Sequence, residues 1–237
     1  MRAAIIAGPD KTEIVESPTP EFGPNDVLVR IRACGICGSD TFYISIGGLP
    51  PRQGSMPLGH EPAGEVVDVG VGVSDIAVGD HVVINPMAVP DDIIGNGGST
   101  GALADYLLIK DAVRGRSLEV IPSHIPFEVA ALNEPMAVAR HAVNQVAPKP
   151  TDRVVVFGAG PIGLGATIAL KSRGVSHVVV VDIQPARLDK ALRVGADAVI
   201  NSADDDVVAR LIELHGAGES IWPDKAGTNI FIDAAGV

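Results

Sequence analysis

Two sets of residues in this sequence have types and spacing that can do chemistry. The first is the run Gly158-Ala159-Gly160-Pro161-Ile162-Gly163, which follows an apolar stretch and opens a helical pattern. Glycines at this spacing provide a tight turn, close approach of a pyrophosphate to the backbone, and close helix–strand packing. The helix N-terminus then offers free amides and the positive end of its dipole to the phosphates. Asp182 ends the next expected strand. A carboxylate there accepts hydrogen bonds from both hydroxyls of an adenosine ribose and repels a 2′-phosphate, so NAD is expected over NADP. Arg187, in the following helix, either lies over the adenine or is an ordinary exposed arginine. A structural turn with a helix-capping Asp182 is the plainer alternative.

The second set is Cys37, His60, Glu61 and Glu134, spread over three segments: CGICGSD (34–40), GHEP (59–62) and NEP (133–135). A thiolate, an imidazole and a carboxylate suit Zn²⁺, and a catalytic zinc keeps one position open for water or substrate. No spacing rule brings these segments together. Adjacent strand residues point to opposite faces, so His60 and Glu61 reach one metal only if the Gly59–Pro62 turn bends. A thiolate and one carboxylate neutralise the dication, and a second directly bound carboxylate would leave the site at minus one.

These residues must be positioned by elements of two kinds. Through the first half, short apolar runs at 2–7, 26–33, 64–69, 80–84, 104–109 and 118–121 are punctuated by Gly and Pro. They read as strands of an all-β barrel or sandwich. Short helical pieces follow at 127–133 and 135–147. Pro135 is expected as the first residue of the second piece, with Glu134 at the break before it. From residue 153 strands and helices alternate: 153–157, 161–173, 177–182, 186–194, 197–201, 205–215 and 229–233. RVVVF and HVVVVD are continuous apolar runs, as parallel strands covered on both faces require. Two domains are expected, 1–150 and 151–237. The second is an α/β doubly wound parallel sheet, incomplete at its C-terminal side, with four strands in the order 3-2-1-4.

Composition closes off other classes. The net charge of −11 has no basic cluster set against it, which excludes a general nucleic-acid binder. No segment approaches the ~18 apolar residues of a membrane span, and the opening apolar run is too short for a signal peptide. Two cysteines exclude a disulfide framework and fit a reducing, cytoplasmic setting. Cys34 and Cys37 share a C-x-x-C spacing, but no helix is expected after them, so Cys34 reads as a small buried hydrophobe rather than a redox thiol. Asp204–Asp206 reads as a helix N-terminus. His81, His124, His141, His177 and His215 show no partner pattern and read as structural or surface residues. Trp222 has no assigned role.

Taken in order, Cys34-Gly-Ile-Cys37-Gly-Ser39-Asp40, Gly59-His60-Glu61, Asn133-Glu134-Pro135 and Gly158–Gly163 resemble the motifs of the zinc-containing medium-chain dehydrogenases, closest to the polyol branch of sorbitol, iditol and idonate dehydrogenases. The resemblance covers the whole chain. It implies a GroES-like all-β catalytic domain, a Rossmann domain and one catalytic zinc in the cleft between them. Cys37 and His60 would be direct ligands, Glu61 the third, and Glu134 a ligand or the holder of the zinc-bound water. Ser39 would pass the proton outward, and a small alcohol or polyol would be oxidised with NAD. A homo-oligomer, dimer or tetramer, would be the state of the full-length enzyme. Two departures stand out. Residues 85–106, where many relatives carry four cysteines, have none, so no structural zinc is expected. Phe42 stands where polyol relatives often have a histidine. The competing readings are a zinc-free NADPH quinone or enoyl reductase and a non-catalytic nucleotide-binding relative; copurifying zinc would separate them.

Overall fold

The structure, a computed structural model, describes residues 1–88, 92–219 and 225–236; Trp222 lies outside them. The chain forms two compact units, Met1–Glu134 and Pro135–Val237. In the first, β1 (Arg2–Gly8), β2 (Lys11–Glu16), β3 (Val27–Gly35), β4 (Met56–Pro57), β5 (Glu61–Val69), β6 (His81–Ile84), β7 (Tyr106–Ile109) and β8 (Leu118–Ile121) build two antiparallel sheets. Their orders are β2-β1-β4 and β7-β3-β5-β6-β8. Val27, Val29, Val66, Val82, Ile84, Leu107 and Ile109 close over one another as the core. Their β-branched or branched side chains suit a pleated surface buried on one side.

Besides the two-residue strand β4, two longer elements of this unit do not show in the sequence pattern. The outer strand β2 carries Lys11, Glu13 and Glu16, charges that protect an exposed edge and also hide its strand character. Helix α1 (Gly38–Ile46) contains Thr41, Ile44 and Ile46, whose branching at Cβ disfavours helix when read alone. Cys37 caps it: the Asp40 carboxylate accepts the Cys37 N–H at 2.9 Å, and Gly47, at φ 78°, ends it. This corrects the expectation that no helix follows the Cys-x-x-Cys segment.

Helix α2 (Phe127–Ala130) leads to α3 (Asn133–Val146). Glu134 therefore lies within the first turn of α3, not at a break before it, and Pro135 is the third residue rather than the first. The backbone N–H groups of a first turn have no intrahelical partner, so proline is tolerated throughout it. The compact units also divide at Glu134–Pro135 rather than near residue 150. Ala139 and Val143 of α3 are fully buried in the core of the second unit with Val154, Val156, Val178 and Val180, which fixes that helix there.

The second unit is a parallel sheet of β9 (Arg153–Phe157), β10 (His177–Asp182), β11 (Ala198–Asn201) and β12 (Ile230–Asp233), in the order β11-β10-β9-β12. This is the expected 3-2-1-4 arrangement. Its helices are α4 (Pro161–Ser172), α5 (Pro185–Arg193) and α6 (Val207–His215). Alternate residues of the apolar runs go to opposite cores. Val154, Val156, Val178 and Val180 enter one, and Val155, Val179 and Val181 the other. Each such side chain contributes about 1.5–3 kcal/mol relative to exposure. Asp206 caps α6, accepting the N–H groups of Val208 and Ala209, as the acidic run leads one to expect. No helix among the described residues is long and apolar enough to cross a membrane.

Candidate metal and nucleotide sites

The antiparallel pairing of β3 with β5 assembles the metal-capable residues. Cys34 lies opposite Pro62 and Gly35 opposite Glu61, so the turn carrying His60 sits against the chain that continues into Cys37 and α1. Gly59 makes that turn possible. Its φ is 90°, and a Cβ would stand 2.6 Å from the Leu103 nitrogen and 3.0 Å from Cys34 Sγ. The result is a cluster in which one ligand atom each of Cys37, His60 and Glu61 lies within 4.8 Å of the others. His60 and Glu61 are buried, and Cys37 is half-buried.

Burial works against charge on His60, but the nearby acceptor atoms and charges of Asp40 and Cys37 prevail and raise the imidazole to about 9. Glu61 is raised chiefly by burial, against the pull of His60 and Cys37. Glu134 is also raised, by burial first and by Glu61, while His60 opposes. Its carboxyl is near enough to feel the charges of the cluster but is not one of the three mutually close ligands. Ser39 follows Cys37 in the first turn of α1 and is half-buried. Phe42 is exposed on α1, its ring 6.0 Å from that of Tyr43.

One further residue belongs here that the sequence pattern does not single out. Asp40, only 1% exposed, places Oδ1 3.5 Å from His60 Nδ1. Among the described residues neither atom has a hydrogen-bond partner, although both are buried. Buried polar atoms without partners are costly. A dication held by His60 would hold the ring in a form that donates to Asp40, the usual arrangement behind a metal-bound histidine. The spacing Cys37-x-x-Asp40 is a capping-box spacing, but the second partner, His60, is far off in sequence. Sulfur, nitrogen and oxygen donors together fit zinc. Cys34 stays outside: its thiol, half-buried against the core, is pushed up to about 12, mainly by burial. That makes it a poor redox thiol, now for a reason unconnected with the helix.

On the second unit, β9 runs into Gly158 (φ 93°), and α4 starts with Gly160 as N-cap and Pro161 in the first turn. The glycines have separate duties. A Cβ on Gly158 would stand 2.6 Å from the Ala234 carbonyl oxygen, and one on Gly163 would collide with the Gly158 oxygen. At Gly160 a Cβ would meet nothing within 4 Å, so the cradle above the helix N-terminus is open there. That geometry fits a pyrophosphate. Ile162 lies in the first turn of α4, packed against the core. Asp182 ends β10, with Oδ2 accepting the Ala159 N–H at 2.8 Å and Oδ1 the Gln184 N–H at 2.9 Å. Burial would raise this carboxyl, yet those two amides and Arg187 hold it below its ordinary value. Arg187 Nη1 is 3.9 Å from Asp182 Oδ2, with the arginine side chain about half exposed. Each carboxylate oxygen keeps a second lone pair for an outside donor.

Residues 23–115 match the alcohol dehydrogenase GroES-like domain and residues 161–237 the zinc-binding dehydrogenase family. The chain is 33% identical to (R,R)-butanediol dehydrogenase of Bacillus subtilis over 248 residues, covering 95% of this chain and 70% of the relative. It is 31% identical to sorbitol dehydrogenase of Bombyx mori over 248 residues, with the same two shares, 95% and 70%. The crystal structure of 2R,3R-butanediol dehydrogenase from Bacillus subtilis superposes with a TM-score of 0.80 at 32% identity, covering 92% of this chain and 68% of that one.

Proposed function

The chain belongs to the zinc-containing medium-chain dehydrogenases, in the polyol branch, and on that premise we propose that it transfers hydride between a secondary alcohol of a small polyol or sugar acid and NAD. The observation that carries the reading is the convergence of Cys37, His60 and Glu61 on one point of the first unit. Cys37, His60 and Glu61 hold the zinc in this reading, with Glu134 in an outer role. Zinc, when bound, supplies a Lewis acid that lowers the pKa of an alcohol oxygen and leaves one position open for it. NAD, when bound, supplies the hydride acceptor, and Gly158–Gly163 with Asp182 holds its adenosine and pyrophosphate.

The remaining work is done by side chains of this protein. Asp40 orients His60. Ser39, beside Cys37, takes the alcohol proton outward through its hydroxyl. Asp182 meets the ribose hydroxyls and repels a 2′-phosphate, which favours NAD, and Arg187 lies over the adenine. A reducing cytoplasmic setting, supported by two unbridged cysteines, and assembly as a dimer or tetramer complete the proposal. Metal analysis of the purified protein, followed by assay against a panel of polyols with NAD, tests it. About one zinc per chain and NAD-linked oxidation of one or more polyols are expected. A protein that takes up no zinc would overturn the reading.

A further inference from the structure

His60 and Glu61 are neighbours in sequence, yet both reach the same point. A regular strand would send them to opposite faces. Glu61 is the first residue of β5 and faces Gly35, the last residue of β3, across the pair. The space that a Cβ of Gly35 would fill is taken by Glu61: such an atom would collide with Oε2 and stand 3.0 Å from Cδ and 3.1 Å from Cβ. The glutamate side chain is therefore folded down over the bare backbone of β3, toward Cys37, instead of standing clear of the sheet. Gly35 is not among the glycines with left-handed backbone. Its backbone would accept alanine, so the lack of a side chain is explained by Glu61 and not by the turn.

We propose that Gly35 is a positioning residue for the third metal ligand: its missing Cβ is the seat that lets the Glu61 carboxylate join Cys37 and His60 at the zinc. The proposal rests on the zinc reading above. Any side chain at residue 35 would evict Glu61 from the cluster while leaving Cys37 and His60 where they are. Two of the atoms in the way, Oε2 and Cδ, are the far end of one flexible side chain and can swing aside, while Glu61 Cβ at 3.1 Å asks the strand pair to give by only a few tenths of an ångström. The ligand set would then fall from S, N and O to S and N, with water replacing the carboxylate.

Cobalt(II) titration of the whole chain reads this without turnover. A thiolate-to-cobalt band in the near ultraviolet reports Cys37, the visible bands report the ligand set, and zinc competition gives the affinity. Wild type is expected to show both sets of bands. Gly35→Ala should keep the fold and the thiolate band, alter the visible bands and lose about 10–100-fold in zinc affinity, the range seen when a ligand is left unsupported. In a Glu61→Ala background the same change at residue 35 should cost nothing more, since the two act as one unit. Wild type without a thiolate band would overturn the zinc reading itself. A normal wild type with unchanged bands and affinity in Gly35→Ala would overturn the role of Gly35 alone, as would additive losses in the double variant. If Gly35→Ala does not fold, the double variant decides: folding restored by removing Glu61 supports the seat, and a double variant that also fails overturns it.

Discussion

The nucleotide turn and the metal cluster are built by opposite means. The turn is made of side chains that are missing: Gly158, Gly160 and Gly163 clear space, and in the proposed reading backbone amides meet the pyrophosphate. Its tolerance for volume is nil at Gly158 and Gly163, where an added carbon would meet backbone. The cluster works through side chains that are present and buried, with His60 and Glu61 under 10% exposed and both titrations pushed upward. It should accept no change of ligand atom. The two also differ in reach. The turn is six consecutive residues, and the cluster needs the whole β3–β5 pairing.

This contrast predicts which changes hurt most. Cys37→Ser replaces a soft thiolate with a neutral hydroxyl at the centre of the cluster. Zinc and turnover should be lost together, by more than the 10–100-fold typical of an outer residue, and metal content measured beside activity checks it. Full turnover in a metal-stripped Cys37→Ser protein would break the cluster half of the comparison. Gly163→Ala adds a single carbon to the turn. That carbon would collide with the Gly158 carbonyl oxygen and lie 2.9 Å from its carbon, and backbone cannot swing aside as a side chain can. Overpacking of this kind costs about 1–3 kcal/mol. NAD affinity should fall sharply while zinc affinity, set on the other unit, stays at the wild-type value. Calorimetric titration of each separates the two effects.

The same contrast decides how much could be read before the fold was known. The turn was legible because strand, glycines and helix start are contiguous, and Asp182 follows one crossover later. The doubly covered parallel sheet was legible because RVVVF and HVVVVD leave no polar face to expose, and its order followed from the doubly wound pattern of strands and helices. Cys37, His60 and Glu61 could be typed as ligands, but their meeting depends on the register that sets Gly35 opposite Glu61, which no local pattern carries. Asp40 was hidden because its capping bond to Cys37 is local while its second partner is His60. Strand β2 and helix α1 were hidden because tertiary pairing overrides their weak local preference. Pro135 gave a helix start but misplaced the boundary, since a first turn accepts proline at more than one position.

Asp182→Ala should have a smaller effect. The carboxylate holds the Ala159 N–H of the turn, and in the proposed reading it also meets the ribose hydroxyls. Removing it should shrink the preference for NAD over NADP, and should also weaken NAD itself by loosening the turn. Catalytic efficiencies with both cofactors, in wild type and variant, test this. A wild type that favours NADP would show that Asp182 serves the turn alone.

A last, pH-dependent effect again contrasts the two units, through their buried histidines. His60 is pushed up to about 9 among acceptors, whereas His215 is pushed down to about 4. His215 ends α6 at 1% exposure, where burial, His177 and Arg153 all disfavour a proton. Its Nδ1 lies 2.8 Å from Thr228 Oγ1, its ring is 4.9 Å from that of His177, and Arg153 donates to its carbonyl oxygen. A helix C-terminus ordinarily favours a cation, so burial and these neighbours outweigh the dipole. Because the folded value is lowered, the unfolded chain takes up the proton first. The stability contribution is fully present above the ordinary value of 6.5 and is lost as pH falls from there toward about 4. Between pH 7.5 and 5.0 that linkage amounts to about 2 kcal/mol for the local opening that frees the ring. Hydrogen exchange of the α6 amides, corrected for intrinsic chemistry, should show this fall in wild type. His215→Gln keeps a polar partner for Thr228 but cannot titrate, so its α6 amides should lose far less on acidification, while β3 amides behave alike in both proteins. An equal fall at α6 in wild type and His215→Gln would mean that this histidine carries no acid sensitivity, and that the two units do not differ in the way their buried imidazoles suggest.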